Sequence, residues 1–249
     1  MITVPVDEIF ASIQGEGPYV GQRHIFLRFI GCDLQCAYCD TPDGVKTPEG
    51  SLRPCRAQIS PDSFDREELV NPLTGVRLTE VCERLRVAGS VKPWLSLTGG
   101  EPLLHAEFLE QWLPAMRGTY RIYLETNGIR HVDMQQLASL VDLVSMDIKL
   151  PSSTGQRERW DEHGLFLDAA LGSDVFVKAV VTGDCDPEDL WRAVRLVAER
   201  RKTIPFIIQP VSGMEGPNPE MLVRLQNKAL AVLDDVRVVP QVHKMLLVP

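Results

Sequence analysis

The chain has 249 residues, of which 44% are hydrophobic, enough to fill a core without disulfide staples. Its 34 acidic and 26 basic side chains leave a net charge of −8, which argues against a general nucleic-acid binder with a basic face. No apolar run reaches the roughly 20 residues needed to cross a bilayer, and the start, with Asp7 and Glu8, does not read as a signal peptide. The expectation is a soluble cytoplasmic protein with neither a membrane nor a nucleic-acid partner.

In chain order, a β-rich apolar run at 24–30 comes first. Residues 42–75 follow, with Pro42, Pro48, Pro54, Pro61 and Pro72 and little periodicity. They read as an insertion too poor in apolar residues to be a separate domain, so 1–249 is expected to be a single domain. A helix is predicted at 78–87, a strand at 94–98, a helix at 106–116, a strand at 121–125, a helix at 133–140 and a strand at 143–148. Strands at 175–181, 204–208 and 236–239 then alternate with helices at 187–201 and 220–233. The helix at 187–201 is the clearest: Asp186 caps it, Pro187 suits the first turn, and Leu190, Val194, Val197 and Ala198 share a face. Strands alternating with helices imply βα units and a mostly parallel sheet in an α/β fold. Such strands are buried on both faces, as Phe206-Ile207-Ile208 suggests. Open α/β sheets and α/β barrels both place chemistry at the carboxyl ends of their strands.

Six cysteines are present, and three of them, Cys32, Cys36 and Cys39, follow the first strand with C-x3-C-x2-C spacing. With no secretion signal, clustered cysteines read as metal ligands or catalytic groups. A zinc site is usually closed by four ligands, and no second C-x2-C pair exists here. A redox pair of Cys36 and Cys39 leaves Cys32 unexplained. An iron–sulfur cluster on three thiolates fits better: cubanes normally take four, so one iron stays open to a ligand. Cys55 and Cys185 are scattered, and Cys82 falls on the apolar side of a helix.

The loop, with Tyr38 before its last cysteine, resembles the signature of the radical S-adenosylmethionine (SAM) enzymes. The resemblance implies a partial (β/α) barrel, a [4Fe–4S] cluster whose open iron chelates the amino and carboxylate groups of SAM, and a 5′-deoxyadenosyl radical. Further strand ends agree. Thr98-Gly-Gly-Glu-Pro102, by itself a Gly-Gly turn, resembles the family's GGEP segment, which puts Gly100 and Glu101 at the methionine ammonium. Glu125-Thr-Asn-Gly128 resembles another cofactor-side segment. Asp147-Ile-Lys149 stands where relatives often carry Ser-Pro-Lys, and Gln209-Pro-Val-Ser212 resembles a ribose- and carboxylate-contacting segment. The SAM residues implied are Tyr38, Gly100, Glu101, Asp147, Lys149, Gln209 and Ser212.

Gln14-Gly-Glu-Gly17, by itself a polar turn, offers amide, backbone and carboxylate groups to the edge of a flat heterocycle. Arg28 lies inside an apolar strand, where a charge is costly unless paired. Either it faces outward or it forks onto a substrate carboxylate. Together with the cysteine loop and the ending Gln241-Val-His-Lys-Met-Leu-Leu-Val-Pro249, these residues resemble the 7-carboxy-7-deazaguanine synthases of queuosine and deazapurine biosynthesis. That resemblance implies ring contraction of 6-carboxy-5,6,7,8-tetrahydropterin with loss of ammonia. It implies catalytic roles for Glu16, Arg28 and His243, and substrate contacts at Ile13, Gln14, Gly15, Glu16, Arg28, Thr98, His243 and Pro249, the last through its carboxylate. It also implies Mg²⁺ on Thr41, an electron donor such as flavodoxin or ferredoxin, and a homodimer. The alternatives are a glycyl-radical-enzyme activating enzyme, which shares the cysteine spacing, and a non-enzymatic metal-binding module. His24, His105, His131 and His163 lack ligand spacing and read as structural or surface residues. Trp94, Trp112, Trp160 and Trp191 read as core or interface fillers.

Overall fold

Strand pairing dominates the architecture of this chain, for which a computed structural model describes residues 2–40 and 52–249. The strands are β1 (Thr3–Val4), β2 (Val6–Ile13), β3 (Arg23–Phe29), β4 (Cys55–Ser60), β5 (Ser63–Leu69), β6 (Leu73–Thr74), β7 (Trp94–Gly99), β8 (Arg121–Thr126), β9 (Leu143–Asp147), β10 (Asp174–Val181), β11 (Phe206–Pro210) and β12 (Val236–Val238). Ten of them form one sheet in the order β12-β11-β10-β9-β8-β7-β3-β2-β4-β5, while β1 pairs with β6. From β3 through β7 to β12 every pairing is parallel. β2 runs antiparallel to β3, β4 joins β2 in parallel, and β5 returns antiparallel to β4.

The helices are α1 (Gly75–Leu85), α2 (Ala106–Met116), α3 (His131–Leu137), α4 (Pro151–Thr154), α5 (Trp160–Ala170), α6 (Pro187–Ala198), α7 (Pro219–Leu230) and α8 (Val242–Leu246). α6 forms as its sequence dictates: the Asp186 carboxylate accepts from Glu188 N, Pro187 opens the first turn, and Leu190, Val194 and Val197 are buried. No helix among the described residues is long and apolar enough to cross a membrane.

Side chains alternate between the two faces of each parallel strand, with opposite chemistry. Leu95, Leu97, Ile122, Leu124, Val144, Met146, Val177, Ala179, Phe206 and Ile208 point to the helices and join the main core. On the other face, the starts of the strands carry Trp94, Tyr123, Leu143, Phe176 and Ile207, a second apolar cluster against which Tyr19 and Val239 pack. The Tyr19 ring lies 5.4 Å from Trp94 and 6.1 Å from Tyr123, both edge-on. Trp94 is therefore a core residue, and its Nε1 donates to Gln22 Oε1 at 2.9 Å.

Several segments differ from the sequence expectations. β2 has no predicted counterpart because Asp7 and Glu8 break its apolar pattern. Both are drawn in by arginines, Asp7 by Arg53 at 2.6 Å and Glu8 by Arg56 at 2.7 Å. α5 shows little amphipathic contrast because its exposed face carries Leu165 while its buried face includes His163 and Gly164. Within 42–75, the described part holds the β4–β5 hairpin, which extends the main sheet through β2. Its outer strand reads Ser-Phe-Asp-Arg-Glu-Glu-Leu, a charged edge that discourages further pairing.

Candidate active site

The carboxyl ends of the parallel strands open into one cavity of about 1310 Å³, part of it open to solvent. Cys32, Cys36 and Cys39 lie on its wall with Tyr38. Ile13, Gln14, Gly15, Glu16, Arg28 and Thr98 form another part, with His243 and Pro249 from the C-terminal segment. Gly100, Asp147, Lys149, Gln209 and Ser212 complete the set that the structure brings together. Glu101 does not line the cavity, and Thr41 lies outside the described residues.

The cysteine loop is anchored from within and from outside. Leu34 N donates to Cys32 Sγ at 3.4 Å, Cys39 N to Cys36 O at 3.1 Å, and Ala37 N to Thr154 O at 3.0 Å. All three thiols are free and partly exposed, whereas Cys55, Cys82 and Cys185 are buried. Cys55 sits in the main core, away from the loop's wall of the cavity. Burial pushes the Cys32 thiol up to about 11, so ligation there must displace a proton. Among the described residues, no three His, Cys, Asp or Glu side chains converge as a single metal ion needs. Three free thiols lining one cavity would suit an iron–sulfur cluster. The N–H bond to Cys32 Sγ is of the kind that tunes such clusters.

On the cofactor side, glycine is obligatory at Gly100: a Cβ there would stand 1.9 Å from Gly31 O. Glu101 is fully buried behind this turn. Its carboxylate accepts from Leu103 N at 3.0 Å, Thr126 Oγ1 at 2.9 Å and Asn127 N at 2.8 Å. Burial nevertheless raises its pKa to about 7. It thus clasps the ends of β7 and β8, and Asn127 Nδ2 reaches Asp33 in the cysteine loop at 2.8 Å. At the end of β9, Lys149 Nζ lies 2.8 Å from Asp147 Oδ2 and 5.3 Å from the Tyr38 ring centre. Tyr38 lines the cavity, while its hydroxyl oxygen is buried with no hydrogen-bond partner among the described residues. Lys149 N donates to His163 Nε2 at 3.2 Å, which puts the imidazole proton on Nδ1, 2.9 Å from Gly128 O. His163 is thus a buried brace between two strand ends.

Adjoining this group, Glu16 is held by Lys178, whose Nζ also lies 3.6 Å from Asp147 Oδ2, and by Gln241 Nε2 at 2.7 Å. Burial alone would raise its pKa, but Lys178 and these hydrogen bonds hold it at about 2. Neighbouring Glu125 accepts from Gln14 Nε2 at 2.9 Å and Thr98 Oγ1 at 2.8 Å. Burial, then the Glu16 charge, raises the Glu125 pKa. Arg28 faces the cavity, not outward, with its Nε 3.2 Å from Glu8 Oε2. Gly15 makes room for α8: Val242 N donates to Gly15 O at 2.9 Å, and a Cβ on Gly15 would meet His243 Nδ1 at 2.2 Å. Burial lowers the His243 pKa. Val248 N bonds back to His243 O at 3.1 Å, which turns Pro249 towards the cavity.

Lys178 and Gln241 have no predicted role, although both line the cavity. Lys178 carries the same signal as Arg28, a cation inside the apolar strand Val-Phe-Val-Lys-Ala-Val-Val. Gln241 has no such signal, since its place depends on where α8 docks.

Comparison with known proteins places this geometry. Residues 27–229 match the radical SAM superfamily. A 7-carboxy-7-deazaguanine synthase of Geobacter sulfurreducens is 39% identical, covering 97% of this chain and 96% of its own. One from Methanopyrus kandleri is 34% identical over 97% and 92%. The crystal structure of QueE from Escherichia coli shares the fold, with a TM-score of 0.63 and 21% identity over 96% of this chain and 94% of that one. The chain belongs to the radical SAM superfamily and, within it, to the family of the 7-carboxy-7-deazaguanine synthases.

Proposed function

We propose that this chain converts 6-carboxy-5,6,7,8-tetrahydropterin into 7-carboxy-7-deazaguanine and ammonia. The observation that carries the reading is the single cavity. It is lined both by three free thiols of a C-x3-C-x2-C loop and by Gln14, Glu16, Arg28 and His243. A [4Fe–4S] cluster and SAM bound there would supply a radical able to take hydrogen from C6 of the pterin. Product and ammonia between them contain every atom of the substrate, so the reaction is redox-neutral and hydrogen can return to the cofactor.

The protein's own residues bind, orient and seal. Cys32, Cys36 and Cys39 hold the cluster. Gly100 backbone, Tyr38, Asp147, Lys149, Gln209 and Ser212 form the SAM side, with Glu101 fixing the turn that presents Gly100. Glu16, ionised well below neutrality, accepts from the amino and ring N–H groups of the pterin edge, as carboxylates do from base edges. Arg28 forks onto the substrate carboxylate. Ile13, Gln14, Gly15 and Thr98 line the heterocycle, while His243 and Pro249 close the site. Thr41 would hold Mg²⁺, which would offset the substrate's negative charge. A reduced flavodoxin or ferredoxin delivers the electron, and the chain works as a cytoplasmic homodimer. The glycyl-radical alternative has no use for the Gln14–Glu16 face.

The test is turnover. Anaerobically reconstituted protein, reduced and given SAM and 6-carboxy-5,6,7,8-tetrahydropterin, forms 7-carboxy-7-deazaguanine by mass and one equivalent of ammonia. Unchanged pterin, with the cluster intact and SAM cleaved, refutes the proposal.

A further inference from the structure

The β4–β5 hairpin lies in the segment to which the sequence assigns no role, and it reaches the substrate side through a chain of charges. Arg28 and Glu8 are register partners across β3 and β2. Arg28 spends its Nε on Glu8 Oε2 at 3.2 Å, and among the described residues its two η nitrogens have no protein partner. They are left to a ligand in the cavity that Arg28 lines. The other Glu8 oxygen is taken from the hairpin side, by Arg66 Nη1 and by Arg56 Nη2 at 2.7 Å. Phe10 lies beneath both Arg28 and Arg66, with ring centre distances of 5.6 and 5.9 Å.

We infer that the hairpin positions Arg28: through Arg66 and Arg56 it fixes Glu8, and Glu8 orients the Arg28 fork so that the site selects a ligand bearing a carboxylate. This rests on the reading of Arg28 as the carboxylate fork. Two physical arguments support it. A guanidinium pays for bidentate recognition only when its plane is held in advance, and Glu8 supplies that hold at the Nε edge without blocking the η edge. The charge on the η edge is also left free for an anion. Glu8 meets Arg28, Arg56 and Arg66 at once, so its one negative charge is shared among three guanidinium groups. Burial opposes ionisation of Glu8, yet Arg28, Arg66 and Arg56 lower its pKa, so the anchor stays charged.

The experiment compares two stable ligands, 6-carboxypterin and pterin without the carboxylate, binding to the holoenzyme with SAM. Wild type prefers 6-carboxypterin by at least about tenfold, the worth of one charged hydrogen-bonded pair. Glu8→Gln keeps the size but loses the charge. It weakens 6-carboxypterin about tenfold and leaves pterin and SAM within about twofold. Arg66→Gln, on the hairpin, shifts the same preference in the same direction by about threefold and keeps the proposal testable if Glu8→Gln folds poorly. Equal weakening of both ligands, or no change in either variant, overturns the positioning role. Loss of the wild-type preference itself, unchanged by Arg28→Lys, instead overturns the reading of Arg28 on which it rests.

Discussion

The inner face of the parallel strands carries two layers a few residues apart with opposite jobs. At the starts of the strands stand Trp94, Tyr123, Leu143, Phe176 and Ile207, closed by Tyr19. At their ends stand Thr98, Glu125, Asp147, Lys178 and Gln209, open to the cavity. The step from Tyr123 to Glu125, or from Phe176 to Lys178, is one inward position along the same strand. The lower layer gains by burying aromatic area. The upper layer buries charges that must be paired with one another until ligands arrive. The same backbone thus separates stability from chemistry by height.

Substitutions can break that comparison layer by layer. The largest effect falls on the cysteine loop. Cys32→Ala, Cys36→Ala and Cys39→Ala each abolish cluster assembly and turnover, measured as iron content and product, since three ligands leave no spare thiolate. Cys55→Ala, in the core, leaves iron unchanged. Phe176→Ala and Lys178→Met form the next pair. The first removes a buried ring and costs about 3–5 kcal/mol in urea unfolding, with pterin affinity kept. The second leaves Glu16 without its cation, so its largest loss appears as pterin affinity, at least about tenfold, read by titration of the holoenzyme. A smaller effect follows from chain added after Pro249, which enters the cavity beside His243. It weakens pterin about tenfold at equal iron content, whereas the same tag before Met1 does not.

The mildest prediction concerns pH. Burial lowers His163 to about 4 and His24 to about 3, from an ordinary value of 6.5. Both are neutral in the folded state and take up protons more readily when unfolded. Their share of stability is complete above about pH 6.5 and falls as the pH drops towards 4. Unfolding midpoints measured from pH 7.5 to 5 decline accordingly. His163→Asn, which keeps a donor for Gly128 O, flattens part of that slope.

The legible part of the molecule is the part written in local pattern. Alternating apolar runs placed β3 and β7 to β12, and glycines and charges at strand ends marked the cavity wall. Glu101 shows the limit: its motif is plain, but only the fold reveals that its oxygens face Thr126 and Asn127 and not the open cavity. Asp7 and Glu8 hid β2 because their partners, Arg53 and Arg56, lie more than forty residues away in sequence. Gln241 gave no signal because its neighbour Glu16 is set by the docking of α8. Lys178 was readable by the same rule that singles out Arg28.

The central claim is that one cavity holds SAM and pterin in direct contact, above a buried apolar floor. Substrate deuterated at C6, turned over once by the reduced holoenzyme, tests it by mass analysis of the recovered SAM. Deuterium on the 5′ carbon of SAM is the predicted result. Product formed with SAM left unlabelled would contradict the account.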